Sequence, residues 1–263
     1  MRRLLFLITL PAVLAGRLAA QADADVARAT ARLVPGLVEI RHDLHRNAEL
    51  SNREVRTAGV VERELRRLGL EVRTGVAVTG VIGVLKGAKP GPTIGVRADM
   101  DALPVTETTE VPYRSAAVTQ YLGRDVGVSH ACGHDVHVAV ALGVAEVLAG
   151  MRQKLAGTVV FVFQPAEEGP PPGEKGGADL MVEEGVLRDS SPEIMLALHT
   201  NGSPPDDAGD NERTGTVGWR AGPFAASSSA WRARIIGRQS HGASPHVGID
   251  AIVTAAQVVQ ALQ

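Results

Sequence analysis

The sequence predicts an α/β fold, because apolar segments of strand length alternate with longer segments of helical character. Four short segments are apolar, rich in β-branched residues and bounded by Gly or Pro, which is typical of buried strands. They cover residues 81–85, 93–97, 158–163 and 194–198. Residues 136–148 form an apolar run that suits a helix packed on the sheet, and residues 22–68 have the apolar spacing of two helices.

Acidic residues and a histidine follow three of the predicted strands. Asp99 and Asp101 come after the second strand, Glu167 and Glu168 after the third, and His199 after the fourth. In open α/β sheets, ligands bind beyond the carboxyl ends of the strands. These side chains are therefore expected to meet at one edge of the sheet.

The composition is that of a globular protein without a charged binding surface. The 263 residues are 44% hydrophobic and 3% aromatic, and their formal net charge is -2. Because basic and acidic residues are interspersed, the sequence has no patch for nucleic acid or anionic lipid. The expected partner is a small molecule or a peptide. The one cysteine, Cys132, excludes an intrachain disulfide.

The N-terminus has the pattern of a secretory signal peptide over residues 1–20. Arg2 and Arg3 precede an apolar stretch, residues 4–14, and the small residues that end at Ala20 form a cleavage site. A membrane anchor is the alternative, but the apolar run is well below the roughly 20 residues that span a bilayer. The expected location is periplasmic or secreted, with no membrane attachment after cleavage.

The loop before the predicted helix carries the densest group of metal-binding residue types, at residues 129–135. The thiolate of Cys132 and the imidazole of His134 are two residues apart and can face one cation. The alternative interpretation is structural, because a free Cys is often a small buried hydrophobe. His134 beside Asp135 also suits the start of a helix.

Glu167 and Glu168 are adjacent carboxylates at the end of a buried strand, where neither is easily solvated. Such a pair needs a cation. If one carboxylate binds a metal ion, the other is free to take a proton from the attacking water, as hydrolysis requires. The alternative is a solvated loop with two ordinary surface acids.

Asp99 and Asp101 share a direction, because side chains alternate along a strand. One of them can approach a metal ion while the other orients a metal-binding imidazole. Arg97 offers a structural alternative by neutralising both, and a lone strand-end histidine such as His199 is more often structural than a ligand. The sequence has no His-Glu-x-x-His, no Gly-x-Ser-x-Gly, no phosphate loop and no dinucleotide glycine motif.

Six segments together resemble the M20 family of metallopeptidases and amidohydrolases. The similarity is to the branch with hippurate hydrolases, N-acyl amino acid amidohydrolases and plant auxin-conjugate hydrolases. The segments are residues 41–45, 97–104, 131–135, 163–169, 198–199 and 241–246. The resemblance covers most of the chain, and it implies metal-dependent hydrolysis of the amide bond of N-acyl amino acids or small peptides.

The resemblance also implies the domain organisation. A zinc-peptidase-like catalytic domain with a mostly parallel central sheet is expected over residues 21–222, followed at residues 223–263 by the start of an inserted α+β lid or dimerisation domain. There the residues predict a strand over 231–236 and a helix from Ile249. The family pattern continues beyond Gln263 with the rest of the lid and a last metal-binding histidine, so we expect a truncated form.

The resemblance implies a site for two divalent metal ions. Zn or Mn is expected, and Co or Ni also suits a mixed set of thiolate, imidazole and carboxylate ligands. Glu167 is implied as the general base that activates the bridging water. The implied ligands are Cys132, His134, Glu168 and His199.

Three further residues have supporting roles by resemblance. Asp101 is expected to orient a metal-binding side chain, with Asp99 beside it. His241 is expected to help polarise the scissile carbonyl, across the interface of a homodimer that a complete lid would form. The sequence leaves two other functions open: a truncated, non-catalytic protein that binds metal or N-acyl ligands, and a deacetylase or dipeptide-cleaving enzyme with the same chemistry.

Overall fold

The computed structural model divides the chain into two compact units, residues 1–204 and 205–263. The predicted domain boundary after residue 222 stays a prediction. Residues 1–5 of the predicted signal peptide lie outside the described part of the chain. No helix in the described part combines the length and the apolar character that are needed to cross a membrane. The structure describes residues 6–201, 215, 217–219, 221–223 and 231–262.

The described residues of the first unit form helices and strands around a central sheet, which confirms the predicted α/β fold. The helices are α1 (Phe6–Arg46), α2 (Val55–Arg67), α3 (His134–Gly150), α4 (Gly177–Glu183) and α5 (Val186–Ser190). The strands are β1 (Glu71–Val76), β2 (Gly80–Lys86), β3 (Lys89–Asp99), β4 (Val118–Tyr121), β5 (Arg124–Gly127), β6 (Ala156–Gln164) and β7 (Ile194–Ala197). The four predicted strands are confirmed as β2, β3, β6 and β7.

The central sheet has the strand order β1-β2-β6-β3-β7, and β4 pairs with β5 in a separate hairpin. Strand β2 is antiparallel to both of its neighbours, whereas β6, β3 and β7 are parallel. The sheet is therefore mostly parallel, with β2 alone reversed. Asp99 is in register with Gln164, so β3 and β6 end together at one edge.

Helices cover both faces of the sheet. Phe161 and Phe163 of β6 are fully buried against α1, α2 and α3, in a cluster that includes Leu44 and Leu65. The alternate residues of β6, such as Val160, pack on the opposite face with side chains from α4 and α5. This alternation follows from the two-residue period of a strand and makes β6 the centre of the core. A rigid central strand is a firm support for the residues at its end.

The described residues of the second unit contain a 3-10 turn, Pro245–Val247, and helix α6, Ala251–Leu262. The predicted helix is thus confirmed, and Asp250 caps it by accepting the backbone N–H groups of Ile252 and Val253. The predicted strand over residues 231–236 is wrong, because these residues form no ladder. A strand needs a hydrogen-bonded neighbour, which an apolar pattern does not supply by itself.

Candidate metal centre

Three parallel strands and one helix bring the predicted site residues to the same edge of the sheet. Asp99 ends β3, Glu167 follows β6 and His199 follows β7. Helix α3 begins at this edge, with His134 as its first residue and Cys132 in the loop before it. The carboxyl ends of parallel neighbours meet at one edge, so residues far apart in sequence become neighbours here.

The ligand atoms of Cys132, His134 and His199 all lie within 4.8 Å of one another. The Sγ atom of Cys132 is 3.5 Å from Nε2 of His199. A second group with the same spacing consists of His134, Glu167 and Glu168. The Nε2 atom of His134 lies 3.8 Å from a carboxylate oxygen of each glutamate. Because His134 belongs to both groups, the five side chains form one continuous set of metal-binding atoms.

Hydrogen bonds leave Nε2 of both histidines available for a cation. Nδ1 of His134 lies 2.7 Å from the carbonyl oxygen of Asp101, and Nδ1 of His199 lies 2.6 Å from that of Thr200. A carbonyl only accepts, so Nδ1 donates in both rings and Nε2 keeps its lone pair. His134 is fully buried, and its Nε2 has no hydrogen-bond partner among the described residues. Such an atom is costly unless something binds it, so the site fits a divalent metal ion.

The charges of the site also favour a cation. Burial raises the pKa of the Cys132 thiol to about 12, and the carboxylate of Glu168 adds to this effect. Burial likewise raises the pKa of Glu167, and the charge of Asp99 raises it further. Both pKa shifts disfavour the negatively charged forms, although thiol and carboxyl groups are clustered at this site. A bound cation has the opposite effect on these pKa values, because its positive charge stabilises the thiolate and the carboxylates together.

Asp101 lies behind His134 and connects it to the loop after β6. One Asp101 carboxylate oxygen accepts the hydroxyl of Ser51 at 2.7 Å and the backbone N–H of Glu168 at 3.0 Å. Burial alone would raise the pKa of Asp101, but hydrogen bonds, first of all from His134, lower it. Asp101 is placed where it can orient His134, and that role stays a prediction.

Asp99 is held by Arg97 and by His137, a residue that the sequence analysis missed. Arg97 lies 2.7 Å from one Asp99 oxygen, and Nδ1 of His137 lies 2.5 Å from the other. Burial alone would raise the pKa of Asp99, but the hydrogen bond from His137 and the charges of His134 and Arg97 lower it to about 2. His137 could have been found from its spacing, because residues three apart share a helix face.

Glu54 is a second residue that the sequence analysis missed. Its side chain is fully buried. One carboxylate oxygen accepts the backbone N–H of Ala166 at 2.8 Å, and the other accepts the hydroxyl of Thr79 at 2.6 Å. Ala166 has a φ of 48°, in the left-handed region, so Glu54 stabilises an unfavourable turn directly before Glu167.

His45 links α1 to the start of α3 behind the metal-binding residues. Nδ1 of His45 lies 2.9 Å from Asp135 and Nε2 lies 3.1 Å from Glu107. Both partners are carboxylates, which accept, so the fully bonded ring is the imidazolium. The hydrogen bond to Asp135 is the main cause that raises the pKa of His45, and burial opposes it.

This raised pKa predicts that part of the stability depends on pH. In the folded chain the pKa of His45 lies above its unfolded value of 6.5. The contribution of His45 to the free energy of unfolding is therefore fully present below pH 6.5, and it is lost as the pH rises through the pKa of the folded state. We expect His45→Gln to lower the free energy of unfolding by about 1.5–3 kcal/mol below pH 6.5, and by less at higher pH. Urea unfolding of the metal-free protein at several pH values measures this.

The control for that measurement is His246→Gln, which alters an exposed histidine. We expect its curve of stability against pH to follow that of the unaltered chain. A His45→Gln variant whose loss of stability grows as pH rises would contradict the assignment of His45 as an imidazolium.

The predicted catalytic residue His241 belongs to the second unit. Its side chain is exposed, and its Nδ1 accepts the backbone N–H of Ala243 at 3.1 Å. The neutral ring therefore carries its proton on Nε2, as a hydrogen-bond donor. Its predicted role in polarising a carbonyl stays a prediction.

Comparisons with known proteins identify relatives of this chain. The model of the peptidase family M20/M25/M40 matches residues 95–236. Thermostable carboxypeptidase 2 of Saccharolobus solfataricus is 39% identical over 86% of this chain and 52% of its own length. N-acetyl-L-cysteine deacetylase of Bacillus subtilis is 37% identical over 86% of this chain and 49% of its own. The chain thus spans about half the length of these relatives.

A solved structure supports the same relationship. The YXEP protein of Bacillus subtilis, a dinuclear metal binding peptidase from the M20 family, matches with a TM-score of 0.54 and 37% identity. The match covers 68% of this chain and 44% of that one. A similarity of this extent agrees with the α/β architecture.

Proposed function

Because the chain belongs to the peptidase family M20/M25/M40, we propose that it hydrolyses the amide bond of N-acyl amino acids or small peptides with divalent metal ions. The observation that carries the proposal is the continuous set of five metal-binding side chains at the edge of the sheet. The relatives agree in chemistry, since one is named a carboxypeptidase and another a deacetylase of N-acetyl-L-cysteine.

The proposed site holds two metal ions, with Zn or Mn expected and Co or Ni compatible. The similar YXEP protein is a dinuclear metal binding peptidase, which supports a site for two metal ions. When bound, such ions polarise the amide carbonyl and make water more acidic. The proposed ligands are Cys132, His134, Glu168 and His199.

Glu167 is the proposed general base. Its side chain is 37% exposed, so water and substrate can reach it, whereas His134 beside it is fully buried. In the metal-free chain, burial and the nearby charge of Asp99 raise the pKa of Glu167, so its carboxyl group takes up a proton more readily than an ordinary glutamate. Glu167 takes a proton from the attacking water and then gives it to the leaving amine. Arg97, 3.9 Å from Glu167, keeps the carboxylate directed to this edge.

Two further parts of the proposal extend beyond this edge. His241 donates a hydrogen bond from Nε2 to the oxygen of the scissile carbonyl, in a homodimer. The hydrogen bond at its Nδ1 supports this role, because it places the proton on the other nitrogen. The N-terminal pattern at residues 1–20 supports export to the periplasm or the exterior of the cell.

The proposal is tested by metal-dependent turnover of defined substrates. The purified chain is treated with a chelator, reloaded with Zn or Mn, and assayed for free amino acid from N-acetyl and N-benzoyl amino acids and from dipeptides. We expect release that requires metal and that is lost in Cys132→Ser, since a hydroxyl is a much poorer ligand than a thiolate. The substrate that reacts fastest identifies the acyl or peptide class.

The result that would contradict hydrolysis is a folded chain that binds metal at Cys132 without releasing any product. That outcome would favour a non-catalytic protein that binds metal or N-acyl ligands. A folded chain that binds neither metal nor N-acyl amino acids would contradict both functions.

A further inference from the structure

His137 is the buried histidine of the site that the proposed mechanism does not use. It lies one turn into α3, its side chain is almost fully buried, and both of its ring nitrogens are engaged. The backbone N–H of Thr200 donates to its Nε2 at 2.8 Å. Nε2 is therefore an acceptor, and Nδ1 carries the proton that is donated to Asp99 at 2.5 Å.

The peptide of Thr200 connects His137 to His199. The N–H of Thr200 binds His137, and its carbonyl oxygen accepts from Nδ1 of His199, which turns Nε2 of that ring to the Sγ of Cys132. The hydroxyl of Thr200 also donates to the carbonyl oxygen of Cys132 at 3.3 Å. One residue thus joins the end of β7 to the loop before α3.

Within the part of the chain that the structure describes, strand β7 has few neighbouring elements. Among the described residues β7 pairs with β3 alone, and all four of its side chains are exposed. His199, which follows it, is exposed as well. In contrast, His137 is fixed on a buried helix and by Asp99, which Arg97 holds in turn. Helix α3 is therefore the well-supported element at this edge, and His199 is the residue that depends on contacts with it.

We propose that His137 is a positioning residue that holds His199 beside Cys132 by accepting the backbone N–H of Thr200. This inference rests on the proposed metal-dependent function, in which His199 and Cys132 are ligands. Asp99, His134 and His137 also have metal-binding atoms within 4.8 Å of one another. The hydrogen bonds to Asp99 and Thr200 occupy both nitrogens of His137, so its role is to orient a ligand and not to be one.

Two substitutions separate the two hydrogen bonds of His137. In His137→Gln, the amide oxygen lies near the former Nε2 and can still accept from Thr200, but the bond to Asp99 is lost. In His137→Asn, the shorter amide can still donate to Asp99, but it does not reach Thr200. We expect His137→Asn to weaken Zn binding by about ten- to hundredfold, because the loss of a group that orients a metal ligand typically lowers metal affinity by this factor. We expect His137→Gln to stay close to the unaltered chain.

The measurements are Zn affinity, by competition with a chromophoric chelator, and the absorption of the Co-loaded chain, where a thiolate ligand gives an intense near-ultraviolet band. We expect this band to be absent in Cys132→Ser and altered in His137→Asn. His246→Gln, which alters an exposed histidine, should match the unaltered chain. Circular dichroism of the metal-free proteins checks folding. If His137→Asn does not fold, His137→Met, of similar size and without a strong acceptor, replaces it.

The outcomes distinguish this inference from the proposed function. A His137→Asn chain with the affinity and spectrum of the unaltered protein would overturn the role of His137 while leaving the metal site intact. A loss in His137→Gln that equals or exceeds the loss in His137→Asn would also overturn it, because the bond to Asp99 would then matter at least as much as the bond to Thr200. An unaltered chain that binds no Zn or Co would overturn the proposed function and, with it, the role of His199 as a ligand.

Discussion

Replacing Glu167 by Gln is expected to lower the turnover number by about a hundred- to ten-thousandfold, the usual contribution of a general base. The amide of Gln has nearly the same shape, but it does not accept a proton from water. Glu167 is partly exposed, so water and substrate can reach its carboxylate. The measurement is the release of amino acid by the Zn-loaded chain from its fastest substrate. Metal content and affinity should change little.

Glu168→Gln is the matched control, because the two glutamates are adjacent and equally far, 3.8 Å, from Nε2 of His134. Glu168 is the predicted ligand, so its substitution should reduce metal affinity at least about tenfold. Its turnover should recover in part when metal is added in excess, whereas that of Glu167→Gln should not. If Glu167→Gln keeps most of its turnover while Glu168→Gln cannot be rescued, the base has been assigned to the wrong glutamate.

The elements that could be predicted are those whose sequence pattern reflects burial. Strands β2 and β6 carry continuous apolar runs at buried positions, which is typical of a covered sheet. Strand β1 was missed because most of its side chains are not buried, so no apolar pattern marks it. The β4–β5 hairpin was missed for another reason. Its two-residue turn has positive φ at Leu122 and Gly123, where a sequence with Asn-Gly would have indicated it.

The site residues also include some that could be predicted from the sequence and some that could not. Cys132 and Glu168 could be predicted because polar, metal-binding residue types stand directly beside buried segments, where a solvated role is unfavourable. Glu54 could not, since its importance depends on a partner 112 residues away. The spacing of His137 places it on the same helix face as His134, but its partner Thr200 is 63 residues away. The predicted strand over residues 231–236 failed for a related reason, because pairing is a property of two segments and only one was considered.

Glu54→Ala is expected to lower the free energy of unfolding by about 2–5 kcal/mol, a large fraction of the stability of a typical domain. The substitution leaves a cavity in a fully buried place and removes the acceptor from the N–H of Ala166 and the hydroxyl of Thr79. Nothing then offsets the left-handed conformation of Ala166. Urea unfolding of the metal-free chain measures the loss.

Glu54→Gln is the informative control, because its amide oxygen can accept the N–H of Ala166 and its NH2 group can donate to Thr79. Burial raises the pKa of Glu54, which means that its surroundings in the folded chain destabilise the charged carboxylate. A neutral amide avoids that cost, so Glu54→Gln should lose less than about 1 kcal/mol. If both variants lose the same stability, the charge of Glu54 and not its hydrogen bonds stabilises the turn. If only Glu54→Ala is destabilised, the packing and hydrogen bonds of Glu54, and not its charge, stabilise the turn before Glu167.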